Sequence, residues 1–188
     1  MASDARGFRS ESLWAWSLRA TEVADARDAL LALQDGHGLN GSLMLWAVWC
    51  EAAGLCLTDE DARRIVEQVH PMDRYAVRRL REVRRYAASP RPGYGADALS
   101  ALRAQVYRAE LAAERLIQTR LETETLAARL SGPPPAGEGV RLARLCARAL
   151  ETPVLLADDL GQAGPGALFE RLRASAPPVR NATEREGG

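Results

Sequence analysis

Lysine is absent from this chain of 188 residues, and aromatic side chains make up only 5% of it. Every basic residue is therefore an arginine, and guanidinium groups favour bidentate pairs with carboxylates. The formal net charge is zero, from 25 basic and 25 acidic residues, so no overall field attracts nucleic acid or an acidic membrane. Alanine, leucine and arginine dominate instead, a composition that favours helix over sheet.

Cysteine and histidine are also scarce, which limits the sites that the chain can build. The three cysteines are odd in number and lack CxxC spacing, so neither a disulfide framework nor a zinc knuckle is indicated. The two histidines, His37 and His70, are too far apart in sequence to show metal-ligand spacing. We therefore expect no metal and no cofactor, and we expect the protein to reside in a reducing cytoplasm.

Long hydrophobic runs are missing as well. Residues 1–12 contain acids and no apolar core, so we expect no signal peptide. The longest run without an acidic or basic residue covers 36–50, which is too short to cross a bilayer and begins with glycines. The sequence thus predicts a soluble protein that does not enter a membrane.

Helix start and stop signals divide the first half of the chain into short helices. Apolar residues recur at intervals of three and four in 23–33, and residues 43–50 are apolar on every side, as in a helix buried all round. Asn40 or Ser42 is placed to cap this buried helix. Thr58 begins the next one, and Pro71 is placed at the first turn of another that runs to about residue 88.

A long amphipathic helix is predicted for 96–131, which contains neither Gly nor Pro. Its apolar stripe at alternating intervals of three and four consists of Leu99, Leu102, Val106, Ala109, Ala113 and Leu116. Such a helix measures about 50 Å, longer than a small bundle is wide. We therefore expect its distal half to be covered by the C-terminal helix around 140–150, or else by a partner.

Together these patterns predict an all-α fold: a compact multi-helix bundle with one long amphipathic helix and a C-terminal helical appendage. The predicted divisions are a disordered N-terminus at 1–9, the bundle with the long helix at 10–131, a linker at 132–137, the appendage at 138–176 and a disordered tail at 177–188.

Four polar side chains occupy the corner between the second and third predicted helices: Gln34, Asp35, His37 and Asn40. The following helix offers free N–H groups, so the corner could bind an anion or a polar ligand, with His37 as a general base oriented by Asp35. Trp46 could line such a pocket. The structural alternative is that these polar side chains only satisfy backbone groups of the corner.

Four phrases carry a resemblance to a known family: Trp14, LALQDGHGLN at 31–40, LMLWAVW at 43–49 and AELAAER at 109–115. They resemble a bacterial family of short helical proteins catalogued as domain of unknown function 2390, over roughly residues 11–118. The resemblance implies a helical fold and makes the LQDxHG phrase, with Gly38, a family hallmark, but it implies no activity. Gly41 and Ser42 stand where the family more often has an aliphatic residue and Asn.

The segment Arg63–Arg91 holds nine arginines. They could contact nucleic-acid phosphates, or they could pair with Glu110 and Glu114, which lie one turn apart on the long helix. The zero net charge favours ion pairing. The candidate partners in the segment are Arg78, Arg81 and Arg85.

Our leading hypothesis is a cytoplasmic, non-catalytic interaction or regulatory module that binds another protein or itself through the long helix, because no convincing set of catalytic groups is present. The first alternative is a small-ligand-binding protein or enzyme that uses the Asp35/His37 corner. The second is a nucleic-acid-associated protein that uses Arg63–Arg91. A concave pocket would favour the first alternative, and an exposed apolar strip on the long helix would favour the leading hypothesis.

Overall fold

The computed structural model describes residues 11–130, 135–149 and 164–180, and within these ranges it contains helices, turns and loops but no strand. The helices are α1 (Leu13–Glu22), α2 (Ala24–His37), α3 (Gly41–Ala52), α4 (Asp59–Met72), α5 (Arg78–Tyr86), α6 (Ala96–Ala128), α7 (Glu138–Ala149) and α8 (Pro165–Ser175), with a π-helical turn at Asp73–Val77. The predicted all-α fold is confirmed. None of the helices described is long and apolar enough to cross a membrane.

Helices α2, α3 and α4 begin or end at capping residues that are recognisable in the sequence. The Asn40 side chain accepts a hydrogen bond from the N–H of Leu43 at 3.0 Å and so begins α3. The Thr58 hydroxyl accepts one from the N–H of Asp61 at 3.0 Å and begins α4. Gly38 ends α2 with φ +66°, a left-handed conformation that glycine adopts without strain.

Helix α3 is the centre of the core. Every residue from Gly41 to Cys50 is buried. The neighbours that pack on it are α1, α2, α6, α7 and α8. Because α3 has partners on all sides, its all-round apolar sequence is satisfied, and the prediction for residues 43–50 is confirmed.

Helix α6 contains 33 residues and contacts α1, α3, α4, α5 and the π-helical turn. The predicted stripe is only partly right, because Leu102, Ala109 and Leu116 are exposed. The buried positions are Leu99, Val106, Glu110, Ala113, Ile117, Gln118, Leu121 and Thr125. Three polar residues, Glu110, Gln118 and Thr125, thus lie on the buried face of α6, and the spacing of apolar residues had predicted a different face.

The C-terminal helices do not cover the distal half of α6, which corrects our expectation. That half packs on α1, α3 and α4, whereas α7 packs on α3 and α4, and α8 packs on α2. Leu142 and Cys146 from α7, with Phe169 and Leu172 from α8, belong to the same core cluster. Both C-terminal helices therefore contribute to the core that the other helices form.

Pro71 lies inside α4, so our placement of it at the start of another helix was wrong. Proline has no N–H, so one helical hydrogen bond is not made at this position. Pro71 is exposed, and no glycine follows it to end the helix. The chain instead continues through the π-helical turn into α5.

Residues 177–180 lie along α1, although we expected disorder from 177 onwards. The indole N–H of Trp16 donates to the carbonyl oxygen of Pro177 at 2.8 Å. The N–H of Glu11 donates to the carbonyl oxygen of Arg180, also at 2.8 Å. Disorder was predicted for 1–9 and 177–188. Residues 1–9 and 181–188 lie outside the described residues.

Candidate ligand-binding site

The corner between α2 and α3 does not form the cluster that we considered. Asp35 is exposed and forms a salt bridge with Arg85 on α5. The structural alternative required Asp35 to bond to the backbone of the corner, and no such bond forms among the residues described. Asn40 is the residue that satisfies the backbone, as the cap of α3. His37 is half-buried, and its side chain makes no hydrogen bond or ion pair with the residues described.

Trp46 and Gln34 are placed in different surroundings from each other. Trp46 is fully buried, and its indole N–H donates to the Thr125 hydroxyl at 2.8 Å in the core. Gln34 is half-buried and lies against Gly41, where a Cβ would overlap its side-chain amide. Gln34 lines a cavity on this side of the protein.

That cavity, which we call the α1–α6 cleft, has a volume of about 380 Å³ and lies between α1, α2, α5, α6 and the first turn of α3. Its apolar lining includes Trp14, Leu18, Leu30, Leu31, Leu45 and Leu111. Its polar lining includes Ser17, Gln34, Ser42, Arg81, Arg84, Glu110, Glu114 and Gln118. A cavity in this range of volume that combines an apolar wall with convergent polar groups is typical of small-ligand sites.

Two arginines of α5 meet two glutamates of α6 at one end of the cleft. Arg81 Nε and Arg84 Nε donate to the Glu110 carboxylate at 2.9 and 2.6 Å. Arg81 also donates to Glu114 at 2.9 Å. The side chain of Glu110 is only 3% exposed and that of Arg81 12%, so this cluster is an integral part of the wall.

The two glutamates respond oppositely to this environment. Burial raises the pKa of Glu110, but hydrogen bonds from Arg84 and Arg81 outweigh it and hold the pKa below its usual value. Burial also raises the pKa of Glu114; the charge of Glu110 adds to that effect, and Arg81 offsets it only in part. The negative charge of Glu114 is therefore less well stabilised by neighbouring arginines than the negative charge of Glu110.

The prediction that arginines of the 63–91 segment pair with acids is confirmed. Arg81 is a partner of Glu110 as expected, while Arg84 takes the place that we had assigned to Arg78 or Arg85. The other pairs are Arg63 with Asp59, Arg64 with Asp61 and Glu124, Arg78 with Asp73, Arg79 with Glu82 and Arg85 with Asp35. Guanidinium groups engaged in this way are poorly placed to bind phosphates.

Two residues that line the cleft each hold a buried polar atom without a hydrogen-bond partner among the residues that the structure describes: Ser17 Oγ and Gln118 Oε1. Ser17 is 4% exposed and Gln118 3%. Buried polar atoms are paired in the great majority of cases, since an unpaired one costs about 1–3 kcal/mol. Ser17 and Gln118 thus mark the cleft as a place where the described structure leaves hydrogen bonds unmade.

The crossing of α1 over α6 brings these two side chains to the same cavity. The N–H of Leu13 donates to Glu122 at 3.0 Å. Ser17 lies one turn after Leu13, and Gln118 lies one turn before Glu122, on the same helix faces. The cleft wall is therefore fixed by a contact between the first and the sixth helix.

The family model described as "Protein of unknown function (DUF2390)" matches residues 12–121, more than half of the chain. The chain belongs to this family. A search of curated proteins and a search of solved structures each found no match. The DUF2390 region covers all the residues that line the α1–α6 cleft, whereas α7 and α8 lie outside it.

Sequence reasoning missed Ser17, Gln118 and the role of Arg84. One signal was available, since Glu110 and Gln118 are polar residues separated by two helical turns on a helix that is otherwise amphipathic. Polar groups at the spacing of a buried face indicate a polar cavity or a buried network. Ser17 offered no comparable signal, because a single serine in a helix is common on any face.

A larger groove, of about 650 Å³, lies between α4 and α7. Arg63, Arg144 and Arg148 line it, with Val140 and Leu145. No buried polar atom without a partner lines the described part of this groove. The groove extends beyond the DUF2390 region, because its α7 wall follows residue 121 in sequence. We therefore place the candidate site in the α1–α6 cleft.

Metal and thiol chemistry gain no support from the described ranges. They contain no group of three or more His, Cys, Asp or Glu side chains that could hold a metal ion. Burial raises the pKa of the Cys50 and Cys146 thiols, so both stay protonated and unreactive at neutral pH. These two cysteines pack in the core.

Proposed function

We propose that this DUF2390 protein binds a small ligand in the α1–α6 cleft. The observation that carries the proposal is that one cavity of about 380 Å³ is lined by Ser17 and Gln118, whose Oγ and Oε1 atoms are buried and have no partner in the described structure. Four charged groups of the cleft, those of Arg81, Arg84, Glu110 and Glu114, are engaged with one another, which suits binding better than turnover. The site thus differs from the Asp35/His37 corner and shares with the predicted set only Gln34.

Binding of another protein, or self-association, through α6 is a second proposal. Its support is the exposure of Leu102, Tyr107 and Leu116, at 44%, 50% and 60%. These side chains are scattered along the helix, and scattered apolar residues are normal on a protein surface. Sedimentation equilibrium of the wild type and of Leu102→Gln/Leu116→Gln tests it: a monomer in both cases would contradict self-association.

A cytoplasmic location is part of the first proposal. The three cysteines, all within the described residues, are free thiols, which suits a reducing compartment. Fractionation of the native cell tests this location: recovery of the protein outside the cytoplasmic fraction would contradict it.

The test of ligand binding is thermal unfolding in the presence of a library of water-soluble alcohols, amides, amines and carboxylic acids. A ligand at a hundred times its Kd stabilises the folded state by about 2.7 kcal/mol, which raises the melting temperature of a domain of this size by roughly 5–10 °C. We expect at least one compound of the library to raise the melting temperature of the wild type by this amount.

A pair of matched variants assigns such an effect to the cleft. Leu31, a lining residue of α2, is 46% exposed, so Leu31→Trp fills space in the cleft without disturbing the core. Leu116→Trp introduces the same side chain on the outer face of α6, away from the cleft. A compound that stabilises the wild type should no longer stabilise Leu31→Trp but should still stabilise Leu116→Trp. A library without any stabilising compound, or stabilisation insensitive to Leu31→Trp, would refute the proposal.

A further inference from the structure

Another cavity, which we call the loop cavity, lies between the loop at 87–95 and the N-terminal turns of α6. Its volume is about 260 Å³. Arg91 and Tyr94 of the loop line it, together with Leu99, Ser100 and Arg103 of α6. The described residues that line it include no aspartate or glutamate, and none of them also lines the α1–α6 cleft. The loop cavity is therefore a separate place in the fold.

The guanidinium group of Arg91 is held in one orientation. Its Nε and one terminal nitrogen donate to the carbonyl oxygen of Tyr86 at 3.0 and 2.9 Å. Its Cζ lies 3.7 Å from the centroid of the Tyr86 ring, a cation–π contact. These bonds use one edge of a group that has five N–H donors. The donors of the other terminal nitrogen make no hydrogen bond with the described residues, so they can bind a further acceptor without reorientation of the side chain.

Neither arginine of the loop cavity has a carboxylate partner among the residues that the structure describes. Arg91 donates to a neutral carbonyl oxygen. Arg103 is exposed and makes no hydrogen bond or ion pair with those residues. Asp97 is the acid nearest to both in sequence, but it lies about 100° around α6 from Ala96 and does not line the cavity. The lining thus contributes two positive charges and no negative one.

The groove between α4 and α7 differs in this respect. Arg144 and Arg148 line that groove and also have no carboxylate partner in the part of the chain that the structure describes, but Asp59 and Glu67 line it as well. Acids in the wall offset the positive charge that an anion would meet. Uncompensated arginines in a wall without acids are therefore a feature of the loop cavity.

We propose that the loop cavity binds the phosphate group of a small organic monoester, with Arg91 and Arg103 as the charged donors. Such a group carries a charge of about −1.5 to −2 at pH 7, which matches two guanidinium groups, and arginine forms charge-assisted hydrogen bonds to phosphate oxygens. The Ser100 hydroxyl is a further donor in the lining. Tyr94 lines the cavity with 70% of its surface exposed, so its ring is placed to contact the organic part of the ligand.

The test uses three probes that share a phenyl ring: phenyl phosphate, methyl phenyl phosphate and benzyl alcohol. The first is a monoester, the second is a diester with a single negative charge, and the third is uncharged. Calorimetric titration and NMR shifts of backbone amides and arginine Nε–H groups, on the full chain at low salt, measure affinity and location together. We expect phenyl phosphate to shift signals of residues 89–103 and to bind about tenfold more tightly than the diester, because it brings a second charge to two guanidinium groups. Benzyl alcohol should not bind there.

A matched pair of variants tests whether the cavity arginines cause the binding. Arg103→Gln should weaken the binding of phenyl phosphate about tenfold. The control is Arg108→Gln, which removes the same charge from an exposed position of α6 outside the cavity and should change the affinity less than about twofold. Arg91→Gln should also weaken binding about tenfold. Its melting temperature is measured in parallel, because Arg91 also bonds to Tyr86.

Four outcomes would overturn the proposal. They are absence of phenyl phosphate binding, equal binding of benzyl alcohol, equal binding of the diester, and an equal loss of affinity in Arg103→Gln and Arg108→Gln. The last result would indicate diffuse attraction to positive charge and no defined site. None of these outcomes bears on ligand binding in the α1–α6 cleft, because the two cavities share no lining residue and the library used for the cleft contains no phosphate.

Discussion

Replacing Glu110 by Gln is the most direct test of the ion-pair wall. Glu110 accepts hydrogen bonds from both Arg81 and Arg84 and its side chain is 3% exposed. The substitution keeps the shape of the side chain and removes its charge. Two guanidinium groups then share Glu114 as their carboxylate, and only Arg81 is bonded to it.

The expected loss of unfolding free energy is about 3 kcal/mol. Removing one partner of a buried ion pair costs about 3–5 kcal/mol, because the remaining charge is left uncompensated. The lower end applies here for two reasons. The side chain of Arg84 is 28% exposed and can turn toward solvent, and Arg81 keeps its bond to Glu114.

Urea unfolding followed by tryptophan fluorescence measures this loss, and Glu82→Gln is its control. Glu82 pairs with Arg79 on the same helix at 2.9 Å, but both side chains are more than half exposed. An exposed pair of this kind contributes about 0–0.5 kcal/mol. If Glu110→Gln lost no more stability than Glu82→Gln, the ion pairs would not hold α5 against α6 and the reasoning would be refuted.

The same variant has a defined dependence on pH. Because the folded-state pKa of Glu110 lies below the usual 4.5, its ionised form contributes stability fully above that pH and loses it as pH falls through the folded value. The difference between wild type and Glu110→Gln should therefore shrink below pH 4.5. Glu114 is present in both proteins, so its raised pKa largely cancels from the comparison.

Three smaller changes test individual contacts. Thr125→Val leaves the indole N–H of Trp46 unpaired in the core and should lower the free energy of unfolding by about 1–3 kcal/mol in urea titrations; a milder effect of Thr125→Ser would confirm the hydroxyl as the cause. Asn40→Ala removes the cap of α3 and should cost about 1 kcal/mol in thermal unfolding, so an unchanged melting temperature would count against the cap. His37→Ala should change stability by no more than about 0.5 kcal/mol, and a selective loss of ligand binding in this variant would return His37 to the site.

Features of the fold that depend on a few neighbouring residues were predictable from sequence. The caps at Asn40 and Thr58 and the left-handed Gly38 act within one turn, so their chemistry is visible in a short stretch of chain. Pro71 was misplaced because proline both begins and interrupts helices. The surrounding packing, which a short stretch does not contain, decides between the two.

Helix pairing and the candidate site depend on long-range packing, and there the sequence was insufficient. The apolar face of α7 shows that it is buried but not that its neighbours are α3 and α4. Gln34 was identified because it lies in a dense polar phrase. Ser17 and Gln118 share a cavity only because α1 crosses α6, a contact between distant parts of the chain that no local spacing indicates.

The π-helical turn at Asp73–Val77 has a consequence for how the cleft wall is aligned. Val69, Asp73 and Val77 are buried at intervals of four, and Arg81 continues the series. In a regular α-helix each step of four overshoots a full turn by about 40°, so the series would wind away from α6. The wider turn holds more residues and reduces this drift. Helix α4, the π-helical turn and α5 therefore keep their apolar contacts and ion pairs on one face, toward α6. If the π-helical turn tightened to a regular α-helical one, Arg81 would rotate away from Glu110 and the α5 side of the cleft would open.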